Sequence, residues 1–159
     1  MEVSIRTMAS IKNEALYFND VAVGDVWDSS ARTVTETDVV NFAALTGDYN
    51  PLHVDHEFAR GTPFGRPIAH GLLGLSYSAG LGSHMPHMRT VAFVQLREWK
   101  FVKPIFIGDS IRTRVTIKEK REHKKPDHGL VVELFEVFNQ RQETVLACEH
   151  LILVKRKGV

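Results

Sequence analysis

The sequence predicts an α+β fold in which an antiparallel sheet curls around one long central helix. Three observations support this prediction. The first half of the chain has helical spacing of its apolar residues, the second half contains four segments with alternating apolar residues, and residues 68–84 are apolar on almost every side. One strand and two helices followed by a run of strands is typical of this class. The length of 159 residues fits one domain.

The first predicted elements are a strand and a short amphipathic helix. Residues 26–34 have the mixed alternation of an extended segment. The helix that follows begins near Thr35, whose spacing to Asp38 resembles a capping box, and it ends at Gly47. We therefore expect the chain to leave this helix at a fixed point.

The next segment predicts a long ordered loop and then a buried helix. Residues 48–67 contain three prolines and two glycines, with one helical turn expected near residues 57–60. Loops of this length within a compact domain are usually functional. Pro67 suits the first turn of the helix predicted for residues 68–84, which should be surrounded on every side.

Four strands are predicted in the second half, because apolar residues alternate there and β-branched side chains are frequent. Turn-forming residues separate the segments, so an antiparallel meander is the simplest way to join them. The predicted strands cover residues 90–102, 110–122, 130–139 and 144–155.

Composition excludes several classes of function. The formal net charge of +1 gives no general attraction to nucleic acid. The lone Cys148 has no disulfide partner and is expected to be a small buried residue. Charges interrupt residues 1–15, which disfavours a secretory signal and makes the cytoplasm the expected location, and no stretch predicts a membrane helix. We expect residues 1–17 to be an N-terminal extension and residues 18–159 to form the single domain.

The densest polar cluster, residues 46–55, lies where the first helix has just ended. Gly47 suits the left-handed conformation that ends a helix, and Asn50 followed by proline favours a turn. These turns would bring Asp48 and His53 to face one point, where a carboxylate and an imidazole form a pair able to move protons. Such a pair would hold and deprotonate a water molecule, as hydration of a carbon–carbon double bond requires.

A second element is expected at the start of the buried helix. The first backbone N–H groups of a helix have no partner within the helix and lie at its positive end. Gly71 has no side chain, so a carbonyl oxygen could approach its N–H closely. We expect the Gly71 N–H to bind a developing oxyanion, although the glycine would also serve close packing between helix and sheet.

These residues carry a resemblance to a known family. Residues 42–53, FAALTGDYNPLH, and residues 66–71, RPIAHG, resemble the MaoC-like (R)-specific enoyl-CoA hydratase family. The resemblance extends over residues 18–155, including the segment 101–109.

The resemblance implies a hotdog fold, a homodimer or an oligomer of dimers, and syn addition of water to a trans-2-enoyl thioester to give the (R)-3-hydroxyacyl product. It implies that Asp48 and His53 activate the water, that the Gly71 amide polarises the thioester carbonyl, and that no metal or other cofactor is required. Some members have a serine eight residues after this glycine. The corresponding residue is Ala79, with Ser78 beside it.

The substrate would be a thioester of coenzyme A or of an acyl carrier protein, which carry the same pantetheine arm. Asn50 and His70 are candidate supporting and substrate-binding residues within the two motifs. Tyr77 is a candidate for the wall of the acyl tunnel, and Arg66 and Lys103 are candidates for contacts with phosphate or pantetheine.

Three alternatives stay open on the sequence. Closely spaced histidines at residues 53–56 and 84–87 suggest a metal site, but one group lies in a predicted turn and the other contains a proline. A thioesterase on the same fold would direct water at the carbonyl carbon instead. A non-catalytic subunit that binds acyl-CoA is the third alternative, and the intact Asp48 and His53 pair disfavours it.

Overall fold

The computed structural model describes residues 15–83 and 87–158. Most of the predicted N-terminal extension, and three of the four residues in the second histidine group, lie outside these residues. A short 3₁₀ turn, Phe18–Asp20, precedes the main elements. In chain order these are β1 (Val26–Asp28), β2 (Arg32–Thr33), α1 (Glu36–Thr46), α2 (Pro51–Val54), α3 (His56–Arg60), α4 (Gly71–Ser83), β3 (Thr90–Phe101), β4 (Ser110–Glu122), β5 (His128–Phe138) and β6 (Thr144–Lys155).

The strands form an antiparallel sheet in the order β1-β4-β5-β6-β3, and β2 also pairs with β4. The predicted meander is confirmed for β4, β5 and β6. It is wrong for β3, which pairs with β6 rather than with β4. The connection from β3 to β4 instead runs past the start of α4, where the Ala69 N–H donates to the Ile105 carbonyl. The predicted α+β class is confirmed.

The strand predicted for residues 26–34 is divided in two. β1 pairs with residues 114–116 of β4, whereas β2 pairs with residues 110–111. Between them, the hydroxyl of Ser29 accepts a hydrogen bond from the Thr113 N–H, and the Ser29 N–H donates to the Thr113 carbonyl. The predicted strand is interrupted at this pair of hydrogen bonds.

The central helix begins later than the sequence predicts. Pro67 precedes α4 instead of lying in its first turn, because Ile68 forms a β-bridge with Phe106. The helix is also not surrounded on every side within one chain. Leu73 and Leu81 are buried against the sheet, while Leu72 is half-exposed.

The core lies between α4 and the inner face of the sheet. Along β4 the buried positions alternate with less buried ones, as period-two spacing requires. Ile111 and Ile117 are fully buried, and truncating either to alanine is expected to cost about 2–5 kcal/mol of stability. Cys148 is also buried, as predicted, and burial raises the pKa of its thiol to about 11.

Within the described residues, none of the helices combines the length and the apolar character that crossing a membrane would demand.

Candidate active site

Asp48 is placed by the end of α1. Thr35 and Asp38 form the predicted capping box at the start of this helix. Gly47 ends it with a φ of 79°, and the Gly47 N–H donates to the Ala43 carbonyl. The chain then turns sharply, because the carboxylate of Asp48 accepts a hydrogen bond of 3.3 Å from the Asn50 N–H. Asp48 is therefore an exposed carboxylate on a turn of defined geometry.

His53 is placed by α2, a short helix that the sequence analysis did not predict. Asn50 caps α2 by accepting a hydrogen bond from the Leu52 N–H, and Pro51 occupies its first turn. The Nδ1 atom of His53 lies 2.7 Å from the Ile68 carbonyl oxygen. Because a carbonyl only accepts, Nδ1 carries the hydrogen in the neutral ring, and Nε2 carries the lone pair of a base.

His70 joins the two segments. Its ring is buried and lies 3.9 Å from the His53 ring, measured between centroids. Its Nε2 donates to the Asp48 carbonyl over 2.9 Å, so in the neutral ring Nδ1 carries the lone pair. Within the described residues this buried Nδ1 has no hydrogen-bond partner. His70 therefore fixes the Asp48 backbone beside His53.

The side chains of Asp48, His53 and His70 converge. One potential ligand atom from each lies within 4.8 Å of the other two. This geometry allows one water molecule to contact more than one of the groups. Two imidazoles and a carboxylate are also a ligand set that a divalent transition metal accepts. The set differs from both histidine groups that the sequence suggested.

Burial lowers the pKa of His53 below its ordinary value of 6.5. The neighbouring His70 lowers this pKa further, while the hydrogen bond to Ile68 and the Asp48 carboxylate oppose the change. Burial of the ring costs more for the charged form than for the neutral form. His53 is therefore neutral at physiological pH, as a general base must be.

A cavity of about 360 Å³, here called the N-terminal cavity, lies at the start of α4. Both His53 and Gly71 line it. Within the described residues the Gly71 N–H donates to no backbone carbonyl, as expected for the first residue of a helix. A Cβ at Gly71 would lie 2.5 Å from the Phe101 ring. A larger residue at position 71 would therefore displace the Phe101 ring from its place against the start of α4.

The predicted substrate-binding residues are not all near this cavity. Lys103 lines it, with its ammonium 2.6 Å from the Glu143 carboxylate. Arg66 lies outside the lining, with its guanidinium 4.2 Å from the centre of the Phe106 ring. Their roles in substrate binding stay predictions.

Tyr77 also lies outside the lining of the N-terminal cavity. Its hydroxyl accepts a hydrogen bond from Arg32, and burial together with Asp38 raises its pKa to about 12. Its place in an acyl tunnel stays a prediction. Asn50 caps α2, and any further contact of its side chain with substrate likewise stays a prediction. Ser78 is buried and donates to the Leu75 carbonyl.

Sequence reasoning missed two groups of residues. Phe101 and Val145 line the N-terminal cavity, and only the pairing of β3 with β6 brings them there. Glu133 and His150 lie beside a second cavity at the opposite end of α4. Alternation in the sequence did not single out Glu133, because both sides of residues 130–138 are apolar and each carries one glutamate.

The curled sheet, the central helix and the cluster of Asp48, His53 and His70 define an α+β domain with a proton-transfer site at the start of its central helix. The chain belongs to the MaoC like domain family, whose pattern matches residues 19–136.

Several characterised proteins are similar to the chain in sequence. A 3-hydroxybutyryl-CoA dehydratase from Methylorubrum extorquens is 39% identical over 105 residues, covering 65% of each protein. An (R)-specific enoyl-CoA hydratase from Rhodospirillum rubrum is 37% identical over 69% of the chain and 74% of that protein. The matched region covers 31% of the length of Protein MaoC from Klebsiella aerogenes. The chain thus matches slightly under two thirds of the first of these relatives and about a third of the last.

Solved structures show the same fold. A MaoC-like dehydratase from Rhodospirillum rubrum superposes with a TM-score of 0.82 at 26% identity, covering 91% of this chain and all of that one. The unliganded R-hydratase PhaJ1 from Pseudomonas aeruginosa superposes with a TM-score of 0.74 at 28% identity, covering 90% of this chain and 88% of that one. A Mycobacterium tuberculosis protein described as having a double hotdog fold superposes with a TM-score of 0.81 at 21% identity, covering 92% of this chain and 46% of that one. The predicted hotdog fold is confirmed.

Proposed function

We propose that the protein catalyses the reversible syn hydration of a trans-2-enoyl thioester to an (R)-3-hydroxyacyl thioester. One observation carries the proposal: the basic Nε2 of His53, the Asp48 carboxylate and the free Gly71 N–H surround the start of α4. Hydration needs a base for the water and a donor for the oxygen that gains negative charge. Both kinds of group are present.

The proposed reaction begins with a water molecule held between Asp48 and His53. As the water oxygen bonds to C3, His53 Nε2 takes one of its protons. The electron pair of the C2=C3 bond moves to the thioester oxygen, which accepts a hydrogen bond from the Gly71 N–H. C2 then takes a proton back from the imidazolium, so one H and one OH add across the double bond. Because the same pair of residues delivers both the OH and the H, both add to the same face of the double bond, which is syn addition.

Two kinds of evidence support this substrate class. The relatives from Methylorubrum and Rhodospirillum carry names that specify acyl-CoA dehydration or hydration. The N-terminal cavity is lined mainly by apolar side chains, which suit an acyl or pantetheine chain, and Lys103 stands at its wall. We therefore propose enoyl-CoA as the first substrate to test.

The test is incubation of the purified protein with crotonyl-CoA. We expect the enoyl absorbance to fall without release of free thiol, and chiral analysis to identify (R)-3-hydroxybutyryl-CoA. Release of thiol would replace the proposal with a thioesterase, and binding without turnover would indicate a non-catalytic subunit. A parallel acyl-carrier-protein substrate separates the two thioester carriers.

We also propose that the protein forms a homodimer through β3. Within the residues that the structure describes, this strand pairs with β6 on one side and with no strand on the other, and apolar side chains are exposed along it. Val91, Val94 and Trp99 are each more than a third exposed. An exposed, apolar edge strand is a ready site for pairing with a second copy.

Sedimentation tests this assembly. Val94→Lys places a charge on the free strand, and we expect it to shift the dimer towards monomer. Val23→Lys is the matched control, because Val23 is equally apolar and exposed but lies beside β1 at the opposite edge of the sheet. A monomeric wild-type protein at micromolar concentration would contradict the proposal.

A further inference from the structure

The second cavity, here called the C-terminal cavity, has a volume of about 520 Å³ and lies at the end of α4 opposite to the reaction site. We propose that it binds an organic ammonium group, with the Glu133 carboxylate as the counter-ion. This site lies outside the residues to which the hydratase activity is assigned.

The sheet brings two titratable side chains together at the wall of this cavity. In the register of β5 and β6, Glu133 lies directly opposite His150. On the other side, Glu133 lies opposite Ile117 of β4, which is fully buried. Glu133 is therefore a carboxyl group on the inner, apolar face of the sheet, beside open space.

Glu133 has no cationic partner among the described residues that line the cavity. The other titratable lining residues are His150 and the exposed His87. Burial lowers the pKa of His150 to about 4, so its ring is uncharged at neutral pH. The described lining residues from β1, α4, β3 and β4 carry no charged side chain. Burial alone raises the pKa of Glu133 to about 7.

Aromatic rings complete the wall. Trp27, Phe93 and Phe135 line the cavity, and the His150 ring stacks on Phe135 with centroids 3.8 Å apart. The faces of aromatic rings attract cations, more strongly where water is excluded. Nε2 of His150 is 3.5 Å from the Cys148 sulfur, and its Nδ1 has no partner among the described hydrogen bonds.

This combination fits an ammonium group better than an anion or a neutral group. An anion would be repelled by the ionised form of Glu133, and a purely apolar group would leave the carboxyl without a partner. An ammonium group instead neutralises the carboxylate and contacts the rings. It would belong either to the end of an acyl chain or to a free amine.

Calorimetric titration of the full chain with n-butylamine tests the site without using turnover. Butylammonium stays charged over the range used, whereas Glu133 ionises near neutrality. We therefore expect affinity to rise about tenfold between about pH 6 and about pH 8. 1-Butanol, a neutral analogue of similar size, should bind at least about tenfold more weakly at the higher pH.

Glu133→Gln should reduce butylammonium affinity at least about tenfold and remove its pH dependence. Glu136→Gln is the matched control, because Glu136 is on the same strand but is not part of the cavity lining. A cooperative thermal melt of each variant shows that it is folded. Equal binding of butanol and butylammonium, or full binding by Glu133→Gln, would overturn the proposal.

A second arm separates the two sources of the ammonium group. Enoyl-CoA substrates ending in an ammonium or a methyl group are compared for kcat/KM. A preference for the ammonium substrate that Glu133→Gln abolishes assigns the site to the acyl tail. Binding of the free amine without such a preference assigns it to a separate ligand. The calorimetric arm does not use turnover, so it tests the site even if the hydratase activity fails, whereas the kinetic arm rests on the proposed function.

Discussion

The two ends of α4 both present titratable side chains to a cavity, but they hold them differently. At the N-terminal end, His53 and His70 each donate a hydrogen bond to a backbone carbonyl, over 2.7 Å and 2.9 Å. At the C-terminal end, Glu133 has no hydrogen-bond partner among the described residues, and His150 packs against aromatic rings. Backbone hydrogen bonds fix tautomers, as proton transfer requires, whereas unpaired groups respond to pH and to ligands.

The largest expected effect is at the N-terminal end. Asp48→Asn and His53→Ala should each lower kcat for crotonyl-CoA hydration at least about a hundredfold, because each removes a group that handles the water proton. Steady-state kinetics with matched circular dichroism spectra measure the effect. Tyr49→Phe is the control, since Tyr49 is exposed beside Asp48 and should change kcat little. Near-normal turnover in Asp48→Asn would move the chemistry away from this end of the helix.

The next effect distinguishes the C-terminal end. Burial raises the pKa of Glu133 from 4.5 to about 7, so the unfolded chain loses this proton at a lower pH than the folded protein does. Wild-type stability should therefore fall as pH rises from 4.5 through 7, by about 3 kcal/mol. Glu133→Gln cannot ionise, so its stability relative to wild type should increase over this range.

Urea unfolding of both proteins at about pH 5 and about pH 8 measures this difference. Glu136→Gln again serves as the control. A constant stability difference between wild type and Glu133→Gln at the two pH values would show that Glu133 ionises as it does in the unfolded chain. The contrast between the two helix ends would then be lost.

Local patterns in the sequence predicted one part of the structure well. The bounds predicted for β4 and β6 match those observed, because alternation along a strand is a local property. The capping box of α1 and the left-handed Gly47 were also predicted from neighbouring residues. The position of Asp48 follows from these, since it comes directly after the helix end.

Contacts between distant segments could not be predicted in this way. The β3 strand pairs with β6 rather than with its successor in sequence. The start of α4 is displaced because residues 68–69 pair with residues 105–106, more than thirty positions away. The tautomers of the site depend on contacts of the same kind, from His53 to Ile68 and from His70 to Asp48.

A smaller effect is expected at His70, which acts through Asp48. His70→Phe keeps an aromatic ring against Phe42 and His53 but removes the donor to the Asp48 carbonyl. Loss of this hydrogen bond should lower kcat about tenfold, with little change in KM. Steady-state kinetics with crotonyl-CoA measure both constants. A purely structural role would lower the melting temperature without lowering kcat selectively over KM. An unchanged kcat with a lower melting temperature would therefore contradict the positioning role.

The smallest effect concerns the acid side of the pH profile. Burial first, and His70 next, hold the pKa of His53 below 6.5. The active form of His53 is neutral, so kcat/KM should be constant near neutrality and should fall as pH drops through that lowered pKa. In His70→Phe the second of these causes is absent, so the acid limb should move to higher pH. Log kcat/KM measured against pH for both proteins shows the shift, and Tyr49→Phe should not show it. An acid limb at the same pH in His70→Phe would mean that His70 does not lower the pKa of His53.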